Sequence, residues 1–224
     1  MRDGFGPGTL AHAVPEEITD AEINAAQQEI LAAMEAGEDL WVFAYGSLMW
    51  NPGFAFAKRC EGTLYGYHRS FCVYSHHYRG TLANPGLVLG LNRGGSCRGV
   101  SYRVAREKAE DAVAYLWRRE MLSRVYLPKK IRVRLGDATV DARTFVANRA
   151  HRHYAGGLSP DETARLIRRG VGAKGRCSEY LANTVEHLNA LGIDDGPLHR
   201  LREMVCGPMA EGVDTDTSAQ PQFE

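Results

Sequence analysis

A chain of 224 residues with 44% hydrophobic and 24% charged side chains has an ordinary globular composition and length for one substantial domain. Lys plus Arg and Asp plus Glu both number 27, so the formal net charge is zero, which counts against a nucleic-acid binder with its basic excess. No apolar run reaches the about 20 residues that span a bilayer, and the first residues lack the apolar core of a secretory signal, so no membrane insertion is expected.

In chain order, residues 1–17 are rich in Gly, Pro and Ala and read as loose. Thr19 and Glu22 make a capping-box pattern that predicts a helix to residue 34, stopped by Gly37. Residues 40–45 are a nearly continuous apolar run, predicting a buried strand that ends in Gly46-Ser47. Further strands are predicted over 62–74, bent near Gly66, and over 86–91, 98–104, 131–135 and 139–147. Gly94-Gly95 marks a turn and Gly136-Asp137 a hairpin turn. Among these strands, Ala109, Val113, Leu116 and Trp117 fall on one stripe of an amphipathic helix over 107–124. Ser159-Pro160-Asp161-Glu162 combines an N-cap, a first-turn proline and a capping glutamate, predicting a helix to residue 169. Residues 170–175 are glycine-rich but follow a helix instead of a strand, and read as a loop. Ser178 opens a helix with Leu181, Val185 and Leu188 on one face and Gly192 as its stop. A short helix over 196–205 follows, and from Gly207 the small, polar, acidic tail reads as disordered. Strands with one embedded helix, then helices, predict an α+β fold on a mixed or antiparallel, barrel-like sheet with surrounding helices.

The five cysteines, Cys60, Cys72, Cys97, Cys177 and Cys206, are scattered without a CxxC and read as reduced thiols of a cytoplasmic protein. His76-His77 point to opposite faces if extended, and His151 and His153 find no partner set at ligand spacing, so no metal is predicted. No Gly-x-Ser-x-Gly elbow is present. Two features remain. Glu120 is the next position on the apolar stripe, four after Leu116 and three after Trp117. Desolvation there would raise its pKa and make it a better proton acceptor at neutral pH; the alternative is a glutamate at the stripe's edge, or one paired with Arg118, Arg124 or another cation. Tyr45-Gly46-Ser47-Leu48 follows the apolar strand, and consecutive N–H groups in such a turn form an anion cradle; the alternative is an ordinary strand-ending turn. Arg79 offers bidentate carboxylate binding, or is a solvated loop arginine.

These segments resemble one family. Residues 45–54, Tyr-Gly-Ser-Leu-Met-Trp-Asn-Pro-Gly-Phe, are similar to the signature of ChaC-type, glutathione-specific γ-glutamylcyclotransferases. So are residues 62–69 and Arg79-Gly80-Thr81 with Pro85-Gly86-Leu87-Val88-Leu89. Tyr115-Leu116-Trp117-Arg118-Arg119-Glu120 resembles the family's Tyr-Leu-x-x-Arg-Glu helix. Tyr126-Leu127-Pro128, the loop from His153 to Pro160, and Glu179-Tyr180-Leu181 resemble later blocks. Tyr78 stands where bacterial members often carry His. The resemblance covers residues 40–206, giving a γ-glutamylcyclotransferase domain there, with residues 1–39 as an extension bearing one helix and 207–224 as the tail.

The resemblance implies cleavage of glutathione to 5-oxoproline and Cys-Gly without a cofactor. The substrate's own α-amino group attacks its γ-carbonyl, so no enzyme nucleophile is required. It assigns Glu120 as general base and then acid, and Tyr45, Gly46, Ser47 and Leu48 as the substrate cradle, with Arg79 and Tyr154 as further substrate contacts. Tyr126 is either a contact or packing. The alternatives are a cyclotransferase for another γ-glutamyl amine and a non-catalytic regulator linked to cation transport.

Overall fold

The structure, a computed structural model, describes residues 18–207; the segments 1–17 and 208–224 lie outside it, and with them the loose N-terminus and nearly all of the tail. The described residues form two compact units, one of residues 18–75 and 87–158, the other of residues 76–86 and 159–207.

The first unit is a closed barrel. Its strands are β1 (Leu40–Ala44), β2 (Lys58–Ser75), β3 (Gly86–Val104), β4 (Tyr126–Leu135) and β5 (Ala138–Ala147), in the order β1-β3-β2-β4-β5. The pairs β1/β3, β2/β4 and β4/β5 are antiparallel, and β5 closes on β1 in parallel through Val42 and Arg143. Beside that seam the Thr144 hydroxyl, fully enclosed, donates to the Phe43 carbonyl at 2.9 Å, adding a bond where the parallel pairing is short. Leu40, Val42 and Phe43 of β1, Leu64 of β2, Val100, Tyr102 and Val104 of β3, and Ile131 and Val133 of β4 are buried. Each such side chain contributes about 1.5–3 kcal/mol of burial free energy, which is why the alternating positions of these strands fix the register.

The sheet corrects one expectation. Gly94-Gly95 is no strand-ending turn: β3 runs through it as one strand, with both glycines at positive φ (+99° and +67°). Paired glycines in the left-handed region bend a strand as a bulge does, while cross-strand pairing continues on either side. At Gly136-Asp137 the expected two-residue hairpin is present, with Leu135 opposite Ala138.

Two helices belong to this unit. Helix α1 (Asp20–Ala32) starts on the expected capping box, Thr19 and Glu22 each bonding the other's backbone N–H. It ends at Ala32, so Gly37 lies beyond the end instead of stopping it. Helix α2 (Ala109–Glu120) is shorter than its apolar pattern suggests, since Arg106–Lys108 is a 3-10 turn and Met121 caps the end. Its stripe is buried as predicted: Ala109, Val113, Leu116 and Trp117, with Ala112 and Ala114 beside them. Trp117 meets Phe145 of β5 edge to face at 5.4 Å, fixing the helix to the barrel. On the other side α1 holds α2 through Gln27 Nε2 to the Glu110 carbonyl (2.9 Å) and the ion pair Arg118–Asp20, and holds the segment after α2 through Arg124–Glu22.

The second unit is helical: α3 (Pro160–Arg169), α4 (Cys177–Ala190) and α5 (Gly196–Cys206). Its core is Ala164, Ile167, Leu181, Val185, Leu188, Leu198 and Leu201. The Ser159–Glu162 capping box is formed, and Gly192 follows α4 at positive φ. Residues 170–175, expected to be a loop, contain a small antiparallel hairpin of β6 (Val171–Gly172) and β7 (Gly175–Arg176). Strands of two residues carry no periodicity to read. All five cysteines are free thiols, and no described helix is long and apolar enough to cross a membrane.

Candidate active site

The turn after β1 is a short 3-10 helix, Ser47–Met49, capped by Gly46. Tyr45, Gly46, Leu48 and Met49 are buried and Ser47 is half-buried. A helical turn leaves its first N–H groups without partners inside the turn, here those at Ser47 and Leu48. The turn is anchored by Tyr102 of β3, whose hydroxyl lies 2.7 Å from the Met49 carbonyl oxygen and 3.1 Å from that of Leu48. Burial pushes the Tyr102 phenol upward in pKa, against the lowering influence of Arg59, so it remains a donor across the neutral range. Phe54 meets Tyr102 edge to face at 5.6 Å and Tyr115 of α2 at 6.3 Å, linking the residues after the turn to the helix. Gly53, at φ +73°, passes so close to Tyr115 that a Cβ there would lie 1.9 Å from its hydroxyl oxygen.

Glu120 is the last residue of α2, and its side chain exposes 17% of its area. Burial pushes its carboxyl above the ordinary glutamate range; the neighbouring Arg119 acts in the opposite sense, by charge and by hydrogen bond. The negative end of the α2 dipole lies at this terminus and also disfavours the ionised form. The carboxylate is therefore on the desolvated stripe and paired at once. Its partner is the other cation left open above, Arg119, while Arg118 pairs with Asp20 and Arg124 with Glu22 on α1.

Arg119 joins these parts. Its Nε lies 3.2 Å from Glu120 Oε1, its Nη1 donates to the Asn51 carbonyl (2.8 Å) and the Tyr115 hydroxyl (2.9 Å), and its Nη2 donates to Ser47 Oγ (2.8 Å). Three of the five N–H donors of the guanidinium are thereby hydrogen-bonded within the protein, and its Nε edge carries the ion pair with Glu120. One planar group thus touches both the Ser47 turn, through Nη2, and the Glu120 carboxylate, through Nε. Tyr115 and Arg119 are four apart on α2, the spacing that makes helix side chains neighbours. That spacing pairs Tyr115 with Arg119, but nothing local joins either to Asn51, and the site reading above includes none of the three.

The structure thus brings together Tyr45, Gly46, Ser47, Leu48 and Glu120. Tyr154 lies in the same unit, where it bridges to Val73 at the end of β2 and its hydroxyl donates to Asn92 Oδ1 at 2.9 Å. It packs with Tyr126 on the cluster of Cys72, Val73, Val125 and Ala147, and the Tyr126 hydroxyl donates to the Leu89 carbonyl at 2.6 Å. Among the described contacts, none joins Tyr154 to Glu120 or to the turn. Arg79 belongs to the second unit, where its guanidinium lies over the Tyr180 ring at 5.1 Å and donates to the Arg176 carbonyl at 3.2 Å. The His151 and His153 rings meet edge to face at 5.0 Å, and no three His, Cys, Asp or Glu side chains among the described residues converge as ligands.

Comparison with known proteins gives this geometry a family. The chain is 38% identical over 206 residues to the glutathione-specific gamma-glutamylcyclotransferase of Escherichia coli (strain K12), covering 91% of this chain and 89% of that one. It is 32% identical over 158 residues to the human glutathione-specific gamma-glutamylcyclotransferase 1, covering 68% of this chain and 71% of the relative. Its fold resembles the crystal structure of the yeast gamma-glutamyl cyclotransferase specific to glutathione, with a TM-score of 0.68 at 24% identity over 75% of this chain and 98% of that one. The barrel with its helices is therefore a γ-glutamylcyclotransferase-like fold. The family model for ChaC-like proteins matches residues 40–207, and the chain belongs to that family.

Proposed function

We propose that this protein is a γ-glutamylcyclotransferase that cleaves glutathione into 5-oxoproline and Cys-Gly, with Glu120 as general base and then general acid. The observation that carries the reading is a carboxylate of raised proton affinity held by Arg119 against the turn that follows β1. The names of the similar E. coli and human proteins support glutathione as the substrate.

In this reading the Gly46–Leu48 backbone receives the γ-glutamyl arm, its N–H groups donating to the α-carboxylate and to the γ-carbonyl oxygen. Glu120 takes a proton from the substrate's α-ammonium. The freed amine nitrogen attacks the γ-carbonyl carbon, closing a five-membered ring and placing negative charge on the carbonyl oxygen, where backbone donors stabilise it. Glu120 then gives its proton to the cysteinyl nitrogen, the C–N bond breaks, and Cys-Gly leaves as a neutral amine. The ring nitrogen, which carries two hydrogens and a positive charge after the attack, loses one proton to bulk to become the lactam N–H; Glu120 is again ionised and no water is consumed. A carboxylate with a raised pKa suits both halves, because it binds the ammonium proton and releases it to a better base within one turnover. Folding the arm so that amine and carbonyl lie at reacting distance supplies the orientation term.

The test is to incubate the purified protein with reduced glutathione and quantify 5-oxoproline and Cys-Gly together, with Glu120→Gln alongside. Equimolar release, lost in Glu120→Gln, is expected. No release by folded wild-type protein rejects glutathione as substrate, and turnover surviving in the variant rejects Glu120 as the acid/base.

A further inference from the structure

We propose that Arg119 is a positioning residue of the reaction: its guanidinium is the bracket that sets the Ser47 turn and the Glu120 carboxylate at a fixed separation. The inference rests on Glu120 being the acid/base.

The donor count assigns this role. Three N–H groups donate to Asn51 O, Tyr115 Oη and Ser47 Oγ, and Nε lies 3.2 Å from Glu120 Oε1 in an ion pair, so the guanidinium is spent largely on the protein itself. An arginine that served mainly to clamp a substrate carboxylate would keep a two-pronged edge open. The acceptors come from three places in the chain: the turn (Ser47), the segment after it (Asn51), and α2 (Tyr115, Glu120). A planar fork joins them with little freedom, and a lysine's single ammonium cannot. Gly53 and Phe54 enclose the Tyr115 ring from the other side, so the Tyr115 hydroxyl is itself fixed as an acceptor.

The same group is the cation facing Glu120. Around this end of α2, Arg118 is drawn to Asp20 and Arg124 to Glu22, both on α1. Arg119 is the charged neighbour that lowers the proton affinity of Glu120 against its burial. Position and ionisation are thus set by one side chain, and the two roles separate by substitution. Arg119→Met removes charge and fork; Arg119→Lys keeps a charge but loses the fork.

The experiment titrates the Glu120 carboxyl by ¹³C NMR in glutamate-labelled protein, assigned by its absence in Glu120→Gln, and measures kcat and KM for glutathione in parallel. In Arg119→Met the Glu120 midpoint should rise, and kcat should fall roughly 100-fold, the scale of a 1 Å misplacement. In Arg119→Lys the midpoint should return toward the wild-type value while kcat stays low. A folded Arg119→Met with an unmoved midpoint, or an Arg119→Lys with wild-type kcat, overturns the proposal. If Arg119→Met does not fold, kcat in Arg119→Lys decides alone. Glu120→Gln retaining turnover would remove the acid/base assignment, whereas the NMR midpoint tests the bracket without turnover, so the two failures are distinct.

Discussion

Tyr102→Phe should loosen the turn without emptying the core. The phenylalanine keeps the ring, its buried position at 1% exposure and its edge contact with Phe54. Only the hydroxyl goes, and with it the donor to the carbonyls of Leu48 and Met49, residues 7% and 1% exposed. Leaving a buried carbonyl without its donor costs about 1–3 kcal/mol. The second carbonyl, at the longer distance, shares the same hydrogen and adds little. For a chain of this length each kcal/mol moves Tm by about 2–4 °C, so the expected loss is about 2–12 °C. The assay is thermal and urea unfolding followed by tryptophan fluorescence, alongside kcat/KM for glutathione. Because Ser47 sits in that same turn and touches Arg119, kcat/KM should fall more steeply than the folded fraction. A variant with wild-type Tm and wild-type kcat/KM would refute the reasoning, showing that the hydroxyl does not hold the turn.

Three further outcomes follow from the same contacts. Burial raises Glu120 above its ordinary value of 4.5, so between that value and the folded-state pKa the native protein keeps a proton that the unfolded chain has released. The wild type therefore loses stability as pH rises through that window, while Glu120→Gln does not. Melting curves in steps from pH 4 to 8 should show the variant gaining on the wild type and then levelling; a difference independent of pH contradicts this. Gly53→Ala, at φ +73° with the Tyr115 hydroxyl 1.9 Å from the new Cβ, should cost at least about 1–2 kcal/mol in backbone strain. It should also lower kcat by displacing Tyr115 from Arg119, and unchanged urea unfolding and turnover would contradict it. Thr19→Ala removes the α1 cap and should cost about 1 kcal/mol by urea unfolding while leaving kcat near wild type.

The helices were the most legible elements, because their signals are local. The Thr19 and Ser159 capping boxes stand where the sequence puts them, and the stripe of α2 is buried with Glu120 at its end. The barrel was legible in its class, but the order β1-β3-β2-β4-β5 depends on pairings between distant segments that no local period encodes. For the same reason β3 runs through Gly94-Gly95: partners on β2 hold the strand together across residues that would end it in isolation, as in the bond between His68 Nδ1 and the Gly94 carbonyl. In the site, Glu120 was visible as a charge out of place. Arg119 was not, since adjacent helix residues point about 100° apart and a neighbouring arginine reads as solvated. Only the return of the residue 45–51 segment beside α2 turns it into a bracket.

In the proposed reaction the substrate's own amine, and not water, breaks the γ-glutamyl bond. Turnover of glutathione in ¹⁸O-labelled water, with products resolved by mass spectrometry, tests it directly. The products should be 5-oxoproline free of ¹⁸O, equimolar with Cys-Gly, and no glutamate; glutamate carrying one ¹⁸O would mean that water attacks instead.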